Sequence, residues 1–174
     1  NSVLHIGDLP DLAGYGAVYI SGYSPLDPLS LPGIKEMIAK VRTANIRIYF
    51  DPASVGGMKE VPIAEVKSWL PLMDVLLLNE EEAIYLSGAS DIEIALDNLL
   101  EQCQTVVIKR GSHGAIGKSR GSQSVAIDAN PTTVVDTTGA GDAFAAGLLF
   151  PAIPLWIEKG IGVDIVKRYI EEIK

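Results

Sequence analysis

The sequence is poor in the residues that anchor several common function classes. It holds one cysteine, Cys103, with no partner for an intramolecular disulfide and no neighbours at zinc-ligand spacing. A disulfide scaffold and a structural zinc site are thereby excluded, and a reducing, cytoplasmic setting is expected. Basic residues are outnumbered: 14 Lys and Arg stand against 22 Asp and Glu, a net charge of -8. A surface of that sign repels phosphate backbones and anionic lipid, so neither nucleic acid nor membrane is expected as a partner, and any bound anion must be gripped locally by backbone amides or a metal. Long apolar runs are missing as well. The longest, at 75–78 and 143–156, are short or interrupted by Gly and Pro, against the roughly 20 residues of a membrane-spanning helix. The first seven residues lack the basic-then-apolar pattern of a secretory leader, and no initiator Met opens the chain. A portion of a longer protein, or a processed one, is the expectation.

What is present is the composition of a folded soluble domain: 174 residues, 48% hydrophobic, 21% charged, with a mean hydropathy of +0.26. A chain of this size buries roughly 70% of its unfolded surface, enough for one core, so residues 1–174 are read as a single domain. Strand-like runs at 18–20, 46–50, 75–78, 106–109, 115–118, 124–127 and 132–135 alternate with helix-like stretches at 34–44, 64–70, 80–86 and 91–102. Several of the runs are apolar throughout, as buried parallel strands are, and the alternation predicts a layered α/β sheet. The runs at 115–118 and 124–127, joined by Ser119-Arg120-Gly121-Ser122, predict an antiparallel hairpin and hence a sheet that is mixed at one edge. No internal repeat or low-complexity segment is found.

Two polar clusters fall where apolar strands stop, the edge at which open α/β sheets bind ligands. The first, Asn79-Glu80-Glu81-Glu82, follows the run 75–78. One reading is a helix start, with Asn79 as cap and Glu82 closing a capping box. The other is a carboxylate and an amide that hold Mg2+, usually through water. The two are compatible. The second cluster, Asp136-Thr137-Thr138-Gly139-Ala140-Gly141-Asp142, lies between the run 132–135 and a helix-forming stretch at 143–149. Free amides at a helix start carry the positive end of its dipole, so Gly139, Ala140 and Gly141 form a candidate anion hole. Asp142, in the first helical turn, is placed to take a proton from a substrate hydroxyl while those amides stabilise a transferring phosphoryl group. A Gly-rich turn without a ligand is the bland alternative, and two acids flanking Thr-Thr-Gly-Ala-Gly are more specific than that.

Other nucleotide motifs fail. From Gly111 to Gly117 the spacing is one residue too long for a P-loop, and Phe144 stands where a dinucleotide fingerprint has its third glycine. His5 and His113 are isolated and read as surface residues, Cys103 as helix packing.

Taken together, Asp136 to Asp142 followed by Ala143-Phe144, and Asn79 to Glu82 as an Asn-x-x-Glu motif, resemble the PfkB/ribokinase-like carbohydrate kinases. Between them, Val106 to Ala115 is similar to the family's strand and Gly-x-x-Gly turn beside the nucleotide phosphates. The resemblance runs from about Ala17 to Leu149. It implies a three-layer, ribokinase-like (Rossmann-like), mostly parallel sheet with helices on both faces, and phosphoryl transfer from ATP to a hydroxyl of a sugar or similar small molecule. It further implies Asp142 as catalytic base and Gly139, Ala140 and Gly141 as anion hole. Asn79 and Glu82 would organise Mg2+ and its waters, Lys109, Gly111 and Gly114 would border the triphosphate, and Asp136, Thr137 and Thr138 would belong to the nucleotide loop. Asp51, after the run 46–50, is a weaker candidate at the same edge. Lys109 departs from the threonine common at its position, and added charge near the phosphates and plain solvation are equal alternatives for it.

Other departures bear on how far the resemblance reaches. The family's amino-terminal Gly-Gly-x-x-Asn sugar motif and β lid are not found, so the expected fold is truncated at the amino-terminal side. From Phe150 onward the match is poor: Pro151 and Pro154 predict a broken helix, with a helical pattern again only at 162–173. Three readings follow. The chain is the nucleotide-binding portion of a sugar kinase, inactive without its sugar half; or a non-catalytic nucleotide- or phosphate-binding module; or a structural unit whose open sheet edge pairs with another chain, a homodimer being the simplest case.

Overall fold

The computed structural model describes residues 3–130 and 139–159, the last ten of these as helix backbone without side chains. Six strands form one sheet: β1 (Ala17–Ser21), β2 (Arg47–Asp51), β3 (Val75–Asn79), β4 (Thr105–Lys109), β5 (Ala115–Ser119) and β6 (Val125–Ile127). Their spatial order is their sequence order. β1 to β4 run parallel, whereas β4 with β5 and β5 with β6 are antiparallel. The expected hairpin and the mixed edge are both there.

The helices are α1 (Leu31–Thr43), α2 (Val55–Glu60), α3 (Ile63–Trp69), α4 (Glu80–Ser87), α5 (Ile92–Leu100) and α6 (Ala140–Lys159). A parallel sheet whose strands follow one another in order, joined by crossovers of one hand, collects all its crossover helices on one face. That is where α1 to α5 lie. Their buried residues, among them Ile34, Ile38, Met58, Trp69, Leu86, Leu96 and Leu99, pack with Ile48, Phe50, Leu76, Leu78, Val106 and Ile108 of the strands. Phe50 and Trp69 meet edge to face, with ring centroids 5.9 Å apart. Alternate strand residues point to the other face. There Tyr49, Leu77 and Val107 are buried with Ala145 and Leu148 of α6, and Ala17 and Tyr19 pack against them. The three layers are therefore helices, sheet and α6.

Local chemistry explains most of the boundaries. Asp91 caps α5, its Oδ1 accepting the Ile94 amide at 2.9 Å, and the apolar positions 95, 96, 99 and 100 face the sheet. α2 is not among the helix-like stretches of the sequence, and the intrinsic propensity of Gly56-Gly57 is against a helix. It forms because Ser54 Oγ accepts the Gly57 amide at 2.9 Å and Met58 is fully buried. A second difference is at the other end of the chain. α6 does not break after Leu149 but continues through Pro151 and Pro154 to Lys159. Each proline removes one backbone donor, and a helix of 20 residues keeps enough of its hydrogen-bond ladder to continue past two such losses. The expected strand at 132–135 and the helical pattern at 162–173 lie outside the described residues.

Candidate active site

Parallel strands deliver their last residues to one edge of the sheet. Here those residues are Ser21, Asp51, Asn79 and Lys109. Ser21 pairs in register with Asp51, and Asn79 with Lys109. The strand period puts Tyr19, Asp51 and Lys109 on the same face as Tyr49, Leu77 and Val107, which is the face α6 covers.

Lys109 Nζ donates to Asp51 Oδ2 at 2.6 Å, with side chains 17% and 6% exposed. Of the two alternatives for Lys109, solvation is therefore overturned: its ammonium is paired and largely covered. It also lies over the start of α6, since a Cβ on Gly141 would sit 3.6 Å from Nζ. Gly139 has a left-handed φ of 78°, and its carbonyl accepts the Ala143 amide at 2.9 Å as the first turn of α6 closes. That leaves the amides of the Gly139-Ala140-Gly141 segment at the helix start, where the dipole favours an anion. Asp142 follows in the first turn and is exposed.

On β3 the capping box is complete. Glu82 Oε2 accepts the Asn79 backbone amide, Glu82 Oε1 accepts Asn79 Nδ2, and Asn79 Oδ1 accepts the Glu82 amide, each at 2.8 Å. Glu82 is 1% exposed. Burial pushes its carboxyl above the usual range; the Asn79 amide pulls the other way, Asp51 adds to the rise and Lys109 opposes it. Tyr19 shows the same field. Burial raises its phenol well above the ordinary value, and the charges of Asp51 and then Asp142, with a hydrogen bond to Asp51, raise it further. Asp51, Glu82, Asp142 and Lys109 thus share one electrostatic neighbourhood at the end of the sheet.

The β4–β5 connection closes the same edge. Gly111–His113 forms one 3-10 turn, with Gly111 and Gly114 at φ of 55° and 79°, and His113 is exposed. No helix follows, which rules out a P-loop here. Arg110 Nε contacts Glu80 Oε1 at 3.0 Å, tying this turn to the start of α4. Asp136, Thr137 and Thr138 lie outside the described residues. His5 is exposed and Cys103 is buried beyond the end of α5, its thiol donating to the Met73 carbonyl at 3.4 Å.

Sequence reasoning missed Tyr19 and the pairing of Asp51 with Lys109. A signal exists: both charged residues are the last of an apolar parallel strand, and counting by twos from Tyr49 and Val107 puts them on a common face.

The capping box also sets an energy scale. Asn79→Ala removes the cap of α4 and strips one donor from a buried carboxylate, for an expected loss of about 2–3 kcal/mol. Ser54→Ala, a cap on the short α2, should lose about 1 kcal/mol. Urea unfolding of the two variants side by side tests this, and equal losses would contradict it.

No group of three or more His, Cys, Asp or Glu among the described residues is arranged to hold a metal ion directly. Asn79 and Glu82, already engaged with each other, suit an ion reached through its own waters. No described helix is long and apolar enough to cross a membrane.

Comparison with known proteins gives a consistent family. A fructokinase of Salmonella thompson is 32% identical over 114 residues, covering 63% of this chain and 51% of that protein. The aminoimidazole riboside kinase of Salmonella typhimurium is 32% identical over 148 residues, covering 82% and 46%. Among solved structures, an Escherichia coli protein described as a ribokinase II, in complex with ATP and Mg2+, superposes with a TM-score of 0.81 at 26% identity, covering 96% of this chain and 53% of that one. The chain spans about half the length of the curated relatives it matches. The model of the family described as pfkB family carbohydrate kinase matches residues 5–150, a range that holds all four strand ends and the start of α6; the chain belongs to the pfkB family of carbohydrate kinases.

Proposed function

We propose that this chain carries the nucleotide-binding and anion-hole part of an ATP-dependent kinase that phosphorylates a hydroxyl of a sugar or riboside. The observation that carries the reading is the Lys109 ammonium lying over the first turn of α6 at Gly141, held by Asp51 at the edge where the parallel strands end. A phosphate at that point meets helix amides and a held cation, the two features a phosphoryl group in transfer requires. Asp142 then accepts the proton of the acceptor hydroxyl, and the Gly139, Ala140 and Gly141 amides stabilise charge on the phosphoryl oxygens. Gly111 and Gly114 border the triphosphate, and Asp136, Thr137 and Thr138, outside the described residues, belong to the same nucleotide motif by sequence. Asn79 and Glu82 would hold Mg2+ through its waters, and the ion, when bound with the nucleotide, would neutralise phosphate charge. The relatives named for fructose and aminoimidazole riboside support a polyhydroxylated acceptor. Because the chain spans about half of those relatives, we propose weak nucleotide binding by this chain alone, and turnover only with an acceptor-binding half.

Calorimetric titration with Mg·ATP tests the reading. Gly141→Asp places a carboxylate and a side chain where the phosphate sits, and is expected to weaken binding by ~100-fold or more through repulsion in a partly covered site. Asp142→Ala should bind within about threefold of wild type, since a base acting on the acceptor does not grip the nucleotide. Absence of binding to the unmodified chain at millimolar nucleotide would overturn the proposal.

A further inference from the structure

Asp51 lies outside both loops that border the proposed phosphate site, yet its carboxylate gathers three donors. Oδ2 accepts the Lys109 ammonium at 2.6 Å, Oδ1 accepts the Ala53 amide at 3.0 Å, and the Tyr19 hydroxyl also hydrogen-bonds to it. The chain turns at Ala53 through a left-handed φ of 66°, a conformation unusual for alanine. The carboxylate is thus fixed from the strand on one side and from its own turn on the other. Lys109 differs in kind, being a cation on a flexible four-carbon stem. Its ammonium sits between Asp51 and Gly141, at the start of α6.

We infer that Asp51, braced by Tyr19 and the Ala53 amide, is the positioning residue that holds the Lys109 ammonium at the α6 N-terminus for contact with a nucleotide phosphate. The inference rests on the reading of that helix start as a phosphate cradle and adds the residue that organises its cation. Two effects compete. Asp51 repels a phosphate, but it also keeps the ammonium ordered. The ammonium is interposed between the two anions and so is the nearer charge, and Coulomb attraction falls with distance. Asp51 itself spreads its charge over three hydrogen bonds. Positioning therefore prevails, and removing the carboxylate weakens phosphate binding where simple charge counting would strengthen it.

The test is the affinity of the whole chain for Mg·ATP, by calorimetry at two salt concentrations, for wild type, Asp51→Asn, Lys109→Met, the double variant, Lys109→Arg and Tyr19→Phe. Lys109→Met and Asp51→Asn are each expected to weaken binding about tenfold, as loss of one charge-assisted contact does. The double variant should be no more than about twofold worse than either single one, because an unplaced lysine contributes little. Lys109→Arg should stay within about threefold, and Tyr19→Phe should lose about two- to threefold. Asp51→Asn should also flatten the salt dependence as Lys109→Met does, which a folding defect alone would not do; Tm values identify any such defect. Binding by Asp51→Asn as tight as wild type or tighter, or losses that simply multiply in the double variant, would overturn the inference. If Gly141→Asp abolishes binding while these variants keep it, the cradle stands and the positioning role falls. If wild type does not bind, both fall together.

Discussion

Asp142→Asn is expected to lower phosphoryl transfer by roughly 100- to 10,000-fold, the range spanned by removal of a positioned general base, while Mg·ATP affinity stays within about threefold. The asymmetry comes from the helix. Asp142 is in the first turn of α6, exposed, while the amides proposed to meet a phosphate belong to the Gly139-Ala140-Gly141 segment ahead of it. Asparagine preserves size and the helix start, so the cradle persists and only proton acceptance is lost. The measurement is ADP release from the chain supplied in trans with the acceptor-binding half of a longer relative, with fructose and aminoimidazole riboside as first acceptors. Turnover by Asp142→Asn near the wild-type rate would remove Asp142 from the chemistry, and loss of nucleotide affinity would make it a binding residue instead.

Gly114→Ala should be the most damaging single methyl group in the described chain. Gly114 combines φ of 79° with ψ of -128°, a region that L residues avoid. A Cβ there would collide with the Ile127 carbonyl and press on the Asp128 backbone. Backbone strain and a main-chain clash together predict a loss of about 3–5 kcal/mol. For a chain of this size that is a fall in Tm of roughly 10 °C or more. Gly111→Ala is the control: its φ of 55° is also positive, but its Cβ would meet nothing within 4 Å. It should lose only about 1 kcal/mol. Thermal melts of the pair decide the matter, and equal Tm values would show that the approach of β6 to Gly114 is not rigid.

The sequence made the sheet legible because its strands are covered on both faces. β3 and β4, apolar at 76–78 and 106–108, cannot sit anywhere but inside, and the structure buries all six of those residues. Asn79 and Glu82 were equally readable, since a capping box is a local rule with a fixed spacing. Lys109 was not. Its partner Asp51 is 58 residues away in sequence, and counting by twos along each strand gives the face of a charge but not its partner, which depends on the order of the strands. α2 escaped for a related reason. Intrinsic propensity disfavours Gly56-Gly57 in a helix, and burial of Met58, a tertiary effect, overrides it. Pro151 and Pro154 show the converse, a local rule against helix continuation that the backbone of α6 does not obey.

The two sides of the sheet are unequally furnished among the described residues. Five helices bury an extended cluster on one side, whereas α6 alone covers the other, over Tyr49, Leu77 and Val107. Cooperative opening follows buried apolar contact, and among the described residues the α6 side holds the smaller of the two buried clusters. The proposed phosphate grip is built at the start of that element, with Lys109 reaching over from the well-packed strands. A nucleotide seated there would bridge the sheet and α6. Its binding free energy would then hold α6 against the sheet and add to the resistance of the whole fold to unfolding.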